Sequence, residues 1–302
     1  MRFIKDKITW YDLAPPNQEE LESLKKTFKF PQIVLEELNT PSTRQKVERH
    51  ESFLYLVLRF PMYDHARKTS APLEIDFLIK PNEIATVRYE TCEPIDEFFK
   101  NANDLEGFRQ KYFGKSGAEF IHGFLIWLFT YGMRELAHID KKTAEISDTV
   151  FRGGEQAMIK DISVIKRDVL DFRRITKPVA GVLQSFRHEF IALYGEEKNL
   201  LFENLLDEYH NLTDLVDNLK DTVESLETTN ATLLSSKINE VMRLVAVLAF
   251  MLAPVTIIGT LFQMNTEFTP IIGSVNDWWI VLALIASGCI GLFAYFKKRK
   301  WL

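Results

Sequence analysis

The sequence predicts an α+β body carried into an α-helical membrane hairpin, and three observations predict it. Strand-like apolar runs are confined to the first third of the chain, long helical periodicity fills the middle, and two uncharged stretches lie near the C-terminus. The divisions that follow are an N-terminal α/β domain over 1–118, a helical stalk over 119–240 and a transmembrane hairpin over 241–302, with a connecting loop at 263–277.

In chain order, residues 8–13, 53–60, 73–79 and 84–88 alternate or run apolar with β-branched and aromatic side chains, and read as strands of one sheet. Residues 18–27 and 33–38 have helical spacing, punctuated by Pro15-Pro16 and Pro31, while 66–72 reads as a polar connection. Beyond Glu119 the strand signals stop. Helical patterns run through Asp148, from Glu155 to Leu193, and again from Asn199, with breaks at Gly153-Gly154 and Gly195. Pro178, inside the second of these, should kink that helix or end one segment of it.

The last pattern carries a heptad seam: Leu205, Tyr209, Leu212, Val216, Leu219, Val223, Leu226, Asn230 and Leu233 alternate steps of four and three. No helix breaker separates this seam from the first uncharged run, so one helix over 199–262 is expected, about 95 Å long. Its opposite face is acidic, with Asp207, Glu208, Asp214, Asp217, Asp221, Glu224 and Glu227. A solvated face and a regulatory cation site both fit that pattern, and Asp207, Glu208 and Asp214 are the candidates for the second.

Residues 244–266 contain no charge, and at about 1.5 Å per residue they cover the hydrocarbon core of a bilayer. Residues 278–296 form a second uncharged run, entered through the interfacial pair Trp278-Trp279. Lys297, Lys298, Arg299 and Lys300 follow the second run and Lys237 and Arg243 precede the first, whereas 263–277 has no Lys or Arg. That asymmetry places both termini in the cytoplasm and the chain in an inner or plasma membrane. Glu267 and Asp277 in the outer loop either attract cations or simply keep the loop soluble.

Other functions lack support. A net charge of −5 with 26% charged residues argues against nucleic acid as a partner. Cys92 and Cys289 are too few for a disulfide framework or a thiolate metal site, and residues 1–13 have no apolar run of the secretory kind. None of the six histidines forms a close metal-ligand pair, and neither a Gly-rich phosphate loop nor a GxSxG elbow occurs, so no enzyme and no organic cofactor are expected. His138 and Asp140 point to different helix faces, and Glu19-Glu20 and Glu36-Glu37 fall on amphipathic surface helices.

On the helix entering the first run, Asn239, Met242, Ala246, Ala249, Ala253, Thr256 and Thr260 share one small, mildly polar face. Tight helix packing and pore lining both use such stripes. Asn239 and Asn265 at its two ends favour the pore, because neutral carboxamide oxygens hold a cation that keeps its water shell. Two helices cannot enclose a path alone, so several copies in lipid, surrounding an axis that carries the cation, are expected.

These residues resemble the CorA family of divalent metal ion transporters. Asn239-Glu240-Val241-Met242-Arg243 is similar to the family's NEVMK element, Pro254 and Thr256 to its Pro-x-Thr, and 295–302 to its basic YFKKKKWL tail. Residues 44–58 and 74–87 resemble its body strands, and Arg173-Arg174 with Pro178 its long-helix pattern, so the likeness covers nearly the whole chain. The resemblance implies a homopentameric funnel, first spans lining the pore at Asn239, Met242, Ala253, Thr256 and Asn265, and a ring of basic tails at Lys297, Lys298, Arg299 and Lys300. It implies passive entry of Mg2+, or of Co2+, Ni2+ or Zn2+, with acidic residues of the funnel sensing the same ions. The family's GMN signature reads Gln263-Met264-Asn265 here, ahead of Glu267. The outer mouth therefore carries one more amide, and a CorA-like protein of altered selectivity, or a non-conducting regulator or scaffold, is the alternative.

Overall fold

The computed structural model describes residues 1–64, 69–264, 271, 273, 275–299 and 301. These divide into two compact units, Met1–Glu227 and Thr228–Leu302.

The first unit is built on a six-stranded sheet of β1 (Arg2–Lys5), β2 (Thr9–Leu13), β3 (Lys46–Arg49), β4 (Leu54–Asp64), β5 (Thr69–Ile79) and β6 (Glu83–Arg88). The order across it is β1-β2-β6-β5-β4-β3, antiparallel except where β2 runs beside β6. Between β2 and β3 lie α1 (Gln18–Phe28) and α2 (Gln32–Glu37). Asn17 and Glu20 close a reciprocal capping box on α1, satisfying backbone N–H groups that a helix start leaves without partners.

Both faces of the sheet are covered. Leu21, Leu24 and Phe28 of α1 and Val34 and Leu35 of α2 pack with Tyr55, Val57, Leu78, Ala85 and Val87 on one face. The other face presents Trp10, Leu56, Leu58, Ile75 and Phe77 to the helices that follow in the chain. Burial on two sides explains why these strands read as nearly continuous apolar runs rather than as clean alternation.

Those following helices are α3 (Glu93–Asp104), α4 (Glu106–Phe113), α5 (Gly117–Phe151), α6 (Glu155–Thr176) and α7 (Val179–Tyr194). Phe98 of α3 and Phe120 and Phe124 of α5 surround the Trp10 ring at 5.3–5.7 Å between centroids. Pro178 ends α6 and opens α7. At the far end of α7 the chain turns through Gly195 at φ +96°, a conformation that side chains with a Cβ rarely adopt.

Residues 69–72, expected as part of a polar connection, are instead strand: Thr69, Ser70, Ala71 and Pro72 pair with Asp64, Tyr63, Met62 and Pro61. The polar side chains are satisfied from α6, where Asp168 Oδ1 accepts from the Ser70 amide at 2.6 Å and its hydroxyl at 2.8 Å. Two strands without an apolar pattern also join the sheet. Arg2 holds β1 through ion pairs to Asp12 at 2.8 Å and Asp96 at 2.5 Å, and Lys46 holds β3 through Glu37 at 2.7 Å.

From Asn199 the chain runs as one helix, α8 (Asn199–Phe262). Its heptad seam is the face that packs: Leu205, Tyr209, Leu212, Val216, Leu219, Val223, Leu226 and Asn230 are all buried. The Tyr209 hydroxyl donates to the Thr176 carbonyl at the end of α6, 3.2 Å away. The final helix is α9 (Asp277–Lys298). The C-terminal part of α8 and α9 are long and apolar enough to cross a membrane, and the apolar window of each is almost wholly uncovered.

Candidate functional site

The apolar segment of α8 has two unlike faces. Val247 is buried, and Met251, Pro254, Ile258 and Phe262 are half-buried, at steps of four, three, four and four. The matching positions on α9 are Val281, Ile285, Gly288, Leu292 and Phe296. Specific contacts join the faces: Cys289 Sγ lies 3.5 Å from the Met251 carbonyl, and the Phe250 and Phe296 rings stand 6.1 Å apart. This is a hairpin of antiparallel helices meeting along one stripe on each.

The small-residue stripe lies elsewhere on α8. At about 100° per residue, Asn239, Met242, Ala246, Ala249, Ala253, Thr256 and Thr260 centre on the side roughly opposite the α9 contact. Asn239, Met242, Ala249, Thr256 and Thr260 are exposed, and Ala246 and Ala253 are half-exposed. Of the two roles open to such a stripe, packing against the chain's own second span is therefore not the one it performs.

The hydroxyls on the stripe are oriented by the helix itself. Thr256 Oγ1 donates to the Ala253 carbonyl at 3.0 Å, and Thr260 Oγ1 to the Thr256 carbonyl at 2.8 Å. Each hydroxyl thus spends its proton on backbone and keeps lone pairs for an outside donor. Water around a cation is such a donor, so this face suits a hydrated ion.

At the C-terminal end of α8, Gln263 is exposed and its backbone N–H donates to the Gly259 and Thr260 carbonyls, each at 3.2 Å. Its φ is not positive, so the backbone here does not require glycine. Met264 is exposed beside Gln263. Asn265 and Glu267 of the expected outer mouth, and Lys300 of the basic tail, lie outside the described residues. Lys297, Lys298 and Arg299 are exposed at the end of α9, where positive charge suits the helix C-terminus.

The acidic face of α8 separates into two groups. Asp217 pairs with Arg173 at 2.5 Å, Asp221 and Glu224 with Lys220 at 2.9 and 3.0 Å, and Glu227 with Lys166 at 2.6 Å. Among the described residues, Asp207, Glu208 and Asp214 make no ion pair, and no three His, Cys, Asp or Glu side chains converge to hold a metal within one chain. Two groups escaped sequence reasoning. Gly288 was hidden because its importance depends on what stands opposite it. Asp76, a fully buried carboxylate on β5, was hidden because strand alternation gives it a solvent-facing place.

Comparison with known proteins follows the same lines. Residues 5–298 match the family described as CorA-like Mg2+ transporter protein. The chain is 23% identical over 296 residues to the cobalt/magnesium transport protein CorA of Thermotoga maritima, covering 97% of this chain and 83% of that one. It is 20% identical over 302 residues to the protein of the same name from Methanocaldococcus jannaschii, covering 98% and 92%. The complete structure of the CorA magnesium transporter from M. jannaschii superposes with a TM-score of 0.83 at 18% identity, over 100% of this chain and 94% of that one.

Proposed function

The chain belongs to the CorA-like Mg2+ transporter family, and from that premise we propose that it passes hydrated divalent cations, Mg2+ first among them, along the Ala/Thr stripe of α8. It is an integral membrane protein, anchored by two apolar C-terminal helices, and its work is transport rather than catalysis. The observation that carries the reading is that the stripe faces away from α9, with hydroxyl lone pairs free to accept from an ion's water.

Several copies, five by the family's pattern, surround the path and complete it. Asn239 and Met242 stand at the cytoplasmic end, Ala246, Ala249, Ala253, Thr256 and Thr260 line the span, and Gln263, Met264, Asn265 and Glu267 form the outer mouth. Both termini are placed in the cytoplasm in this reading, supported by the Lys and Arg flanks. Lys297, Lys298, Arg299 and Lys300 ring the inner face. Asp207, Glu208 and Asp214, without ion pairs among the described residues, are the acids available to sense intracellular Mg2+ or a related ion. No ATP is needed, because a doubly charged ion entering across 100 mV gains about 4.6 kcal/mol.

Full-length protein in liposomes, with an inside-negative potential and a Mg2+-sensitive dye, tests this. Mg2+ influx should rise well above that of empty vesicles and increase with the imposed potential. Vesicles that match empty controls for Mg2+, Co2+, Ni2+ and Zn2+ alike would refute transport. A second reading, a non-conducting scaffold or regulator, draws on Gln263 in the place of the family's glycine. Gain of influx by Gln263→Gly in an otherwise silent protein would favour it.

A further inference from the structure

We propose that Gly288 on α9 is a positioning residue for the first span: its missing side chain is the socket that seats the Pro254 ring, and that seat fixes the bend of α8 at Ala253 and Thr256. The inference rests on the reading that the Ala/Thr stripe lines the conduction path.

Pro254 stands inside α8 with neither an N–H to donate nor room for the carbonyl of residue 250, so the helix must bend there and a ring must be lodged beside it. The lodging is on α9. A Cβ placed on Gly288 would come within 3.0 Å of Pro254 Cβ and 3.4 Å of its Cγ. Carbon atoms pack best at about 3.5–4.0 Å, so even alanine forces one helix to yield. The neighbour cannot yield cheaply, because the nearer atom, Pro254 Cβ, is fixed to the backbone and a change of ring pucker moves chiefly Cγ. Gly259 and Gly291 of the same two helices provide the contrast, since a Cβ at either would meet nothing within 4 Å. Tolerance of side chains at those two positions, and not at 288, is what a specific socket requires.

A second contact clamps the same turn. Cys289 Sγ reaches the Met251 carbonyl at 3.5 Å, one turn before the proline. On the other side of that turn, Thr256 Oγ1 bonds the Leu252 and Ala253 carbonyls at 3.3 and 3.0 Å. The clamp on α9 and the hydroxyl on the stripe thus hold adjacent backbone groups of one bend. Changing residue 288 should therefore re-aim Ala253 and Thr256 without adding any atom to the path.

A double-mutant cycle on full-length protein in liposomes tests this. Gly288→Ala should lower Mg2+ influx about fivefold or more, whereas in a Pro254→Ala background the same change should alter influx less than about twofold, because no ring remains to be displaced. Equal fold-losses in both backgrounds would overturn the socket. If Gly288→Ala fails to assemble, Pro254→Ala should restore assembly, and failure to restore it counts against the proposal equally. A readout independent of conduction separates this idea from the transport reading. With Cys92 and Cys289 replaced by Ser, which keeps a donor at 289, and Ala253→Cys introduced, labelling by a water-soluble thiol reagent should change rate on Gly288→Ala when Pro254 is present and should not change on Gly288→Ala in a Pro254→Ala background. Silent wild-type vesicles with that labelling pattern would sink transport and keep the socket, while an unchanged labelling rate would sink the socket alone.

Discussion

Asp76 sits fully buried under α1 and α2, with the Tyr55 and Tyr89 hydroxyls donating to its Oδ2 at 3.1 and 2.9 Å and no partner for Oδ1 among the described residues. Burial first, and then the Glu74 carboxylate two residues away, push its carboxyl from 3.8 up to about 7, against the opposing pull of the tyrosine hydroxyls and Lys46. The folded protein therefore binds this proton more tightly than the unfolded chain. Asp76 contributes stability that is complete below its ordinary pKa and is lost as pH rises through about 7. Between those limits unfolding free energy should fall by at most about 4 kcal/mol, at about 1.4 kcal/mol per pKa unit. Asp76→Asn should flatten that slope, and thermal melts from pH 4 to 8 check it; a variant with the wild-type slope would assign it to other groups. Sequence alone misplaces this residue, because Glu74 and Asp76 alternate with Ile75 and Phe77 as if facing solvent, whereas Arg59 and the two tyrosines receive them inside. The Ala/Thr stripe was readable as one face at this scale, since its three- and four-residue steps are a property of one helix. Thr256→Val tests its chemistry by keeping the shape and removing the hydroxyl acceptor. Mg2+ influx should fall about tenfold with helix content unchanged by circular dichroism, because a methyl in place of the hydroxyl no longer accepts from the ion's water shell.

Among the elements, α8 was the most legible, because nine seam positions and an uninterrupted apolar run repeat one period from Asn199 to Phe262. The strands β1 and β3 were not. Their four residues each carry charges whose partners, Asp12 and Asp96 for one and Glu37 for the other, are distant or separate in sequence. The start of β5 was missed for a related reason: Thr69 and Ser70 are polar, and only α6 explains their burial. Elements that owe their place to periodicity can be read from the chain, and those that owe it to one long-range ion pair or hydrogen bond cannot. The seam of α8 also makes an energetic prediction. Leu212 of α8 packs against α5, its methyl groups 3.6 and 3.7 Å from where a Cβ on Gly132 would be, with the Phe172 ring of α6 at the same place. Leu212→Ala opens a cavity among three rigid helices that cannot easily collapse, and should cost about 2–5 kcal/mol of unfolding free energy in a denaturant titration. Leu215, exposed on the same helix, is the control, and Leu215→Ala should cost far less.

For the whole molecule, the conduction path we propose needs more than one chain, because two helices can offer only a single wall. Beyond the hairpin stripe, α8 exposes Leu244, Val245, Leu248, Leu252 and Val255, and α9 exposes Leu282, Leu284, Ile290 and Phe293. Lipid can cover such surfaces, but lipid cannot satisfy the Thr256 and Thr260 lone pairs or leave water beside them. A closed ring of copies does both, turning the stripes inward and the apolar residues outward. The number of copies then becomes measurable through poisoning. Thr256→Trp adds a large ring to the stripe without touching the α9 contact, and should be silent alone. Co-expressed with wild type in equal amounts, and with differently tagged copies shown to co-purify, it should leave about 3% of wild-type Mg2+ influx if one blocked subunit silences a ring of five. A path contained in each chain would instead leave about half, in proportion to the wild-type fraction. The curvature of influx against that fraction reads the ring size directly, and a straight line from co-purifying chains would mean that the stripe of α8 does not face a shared axis.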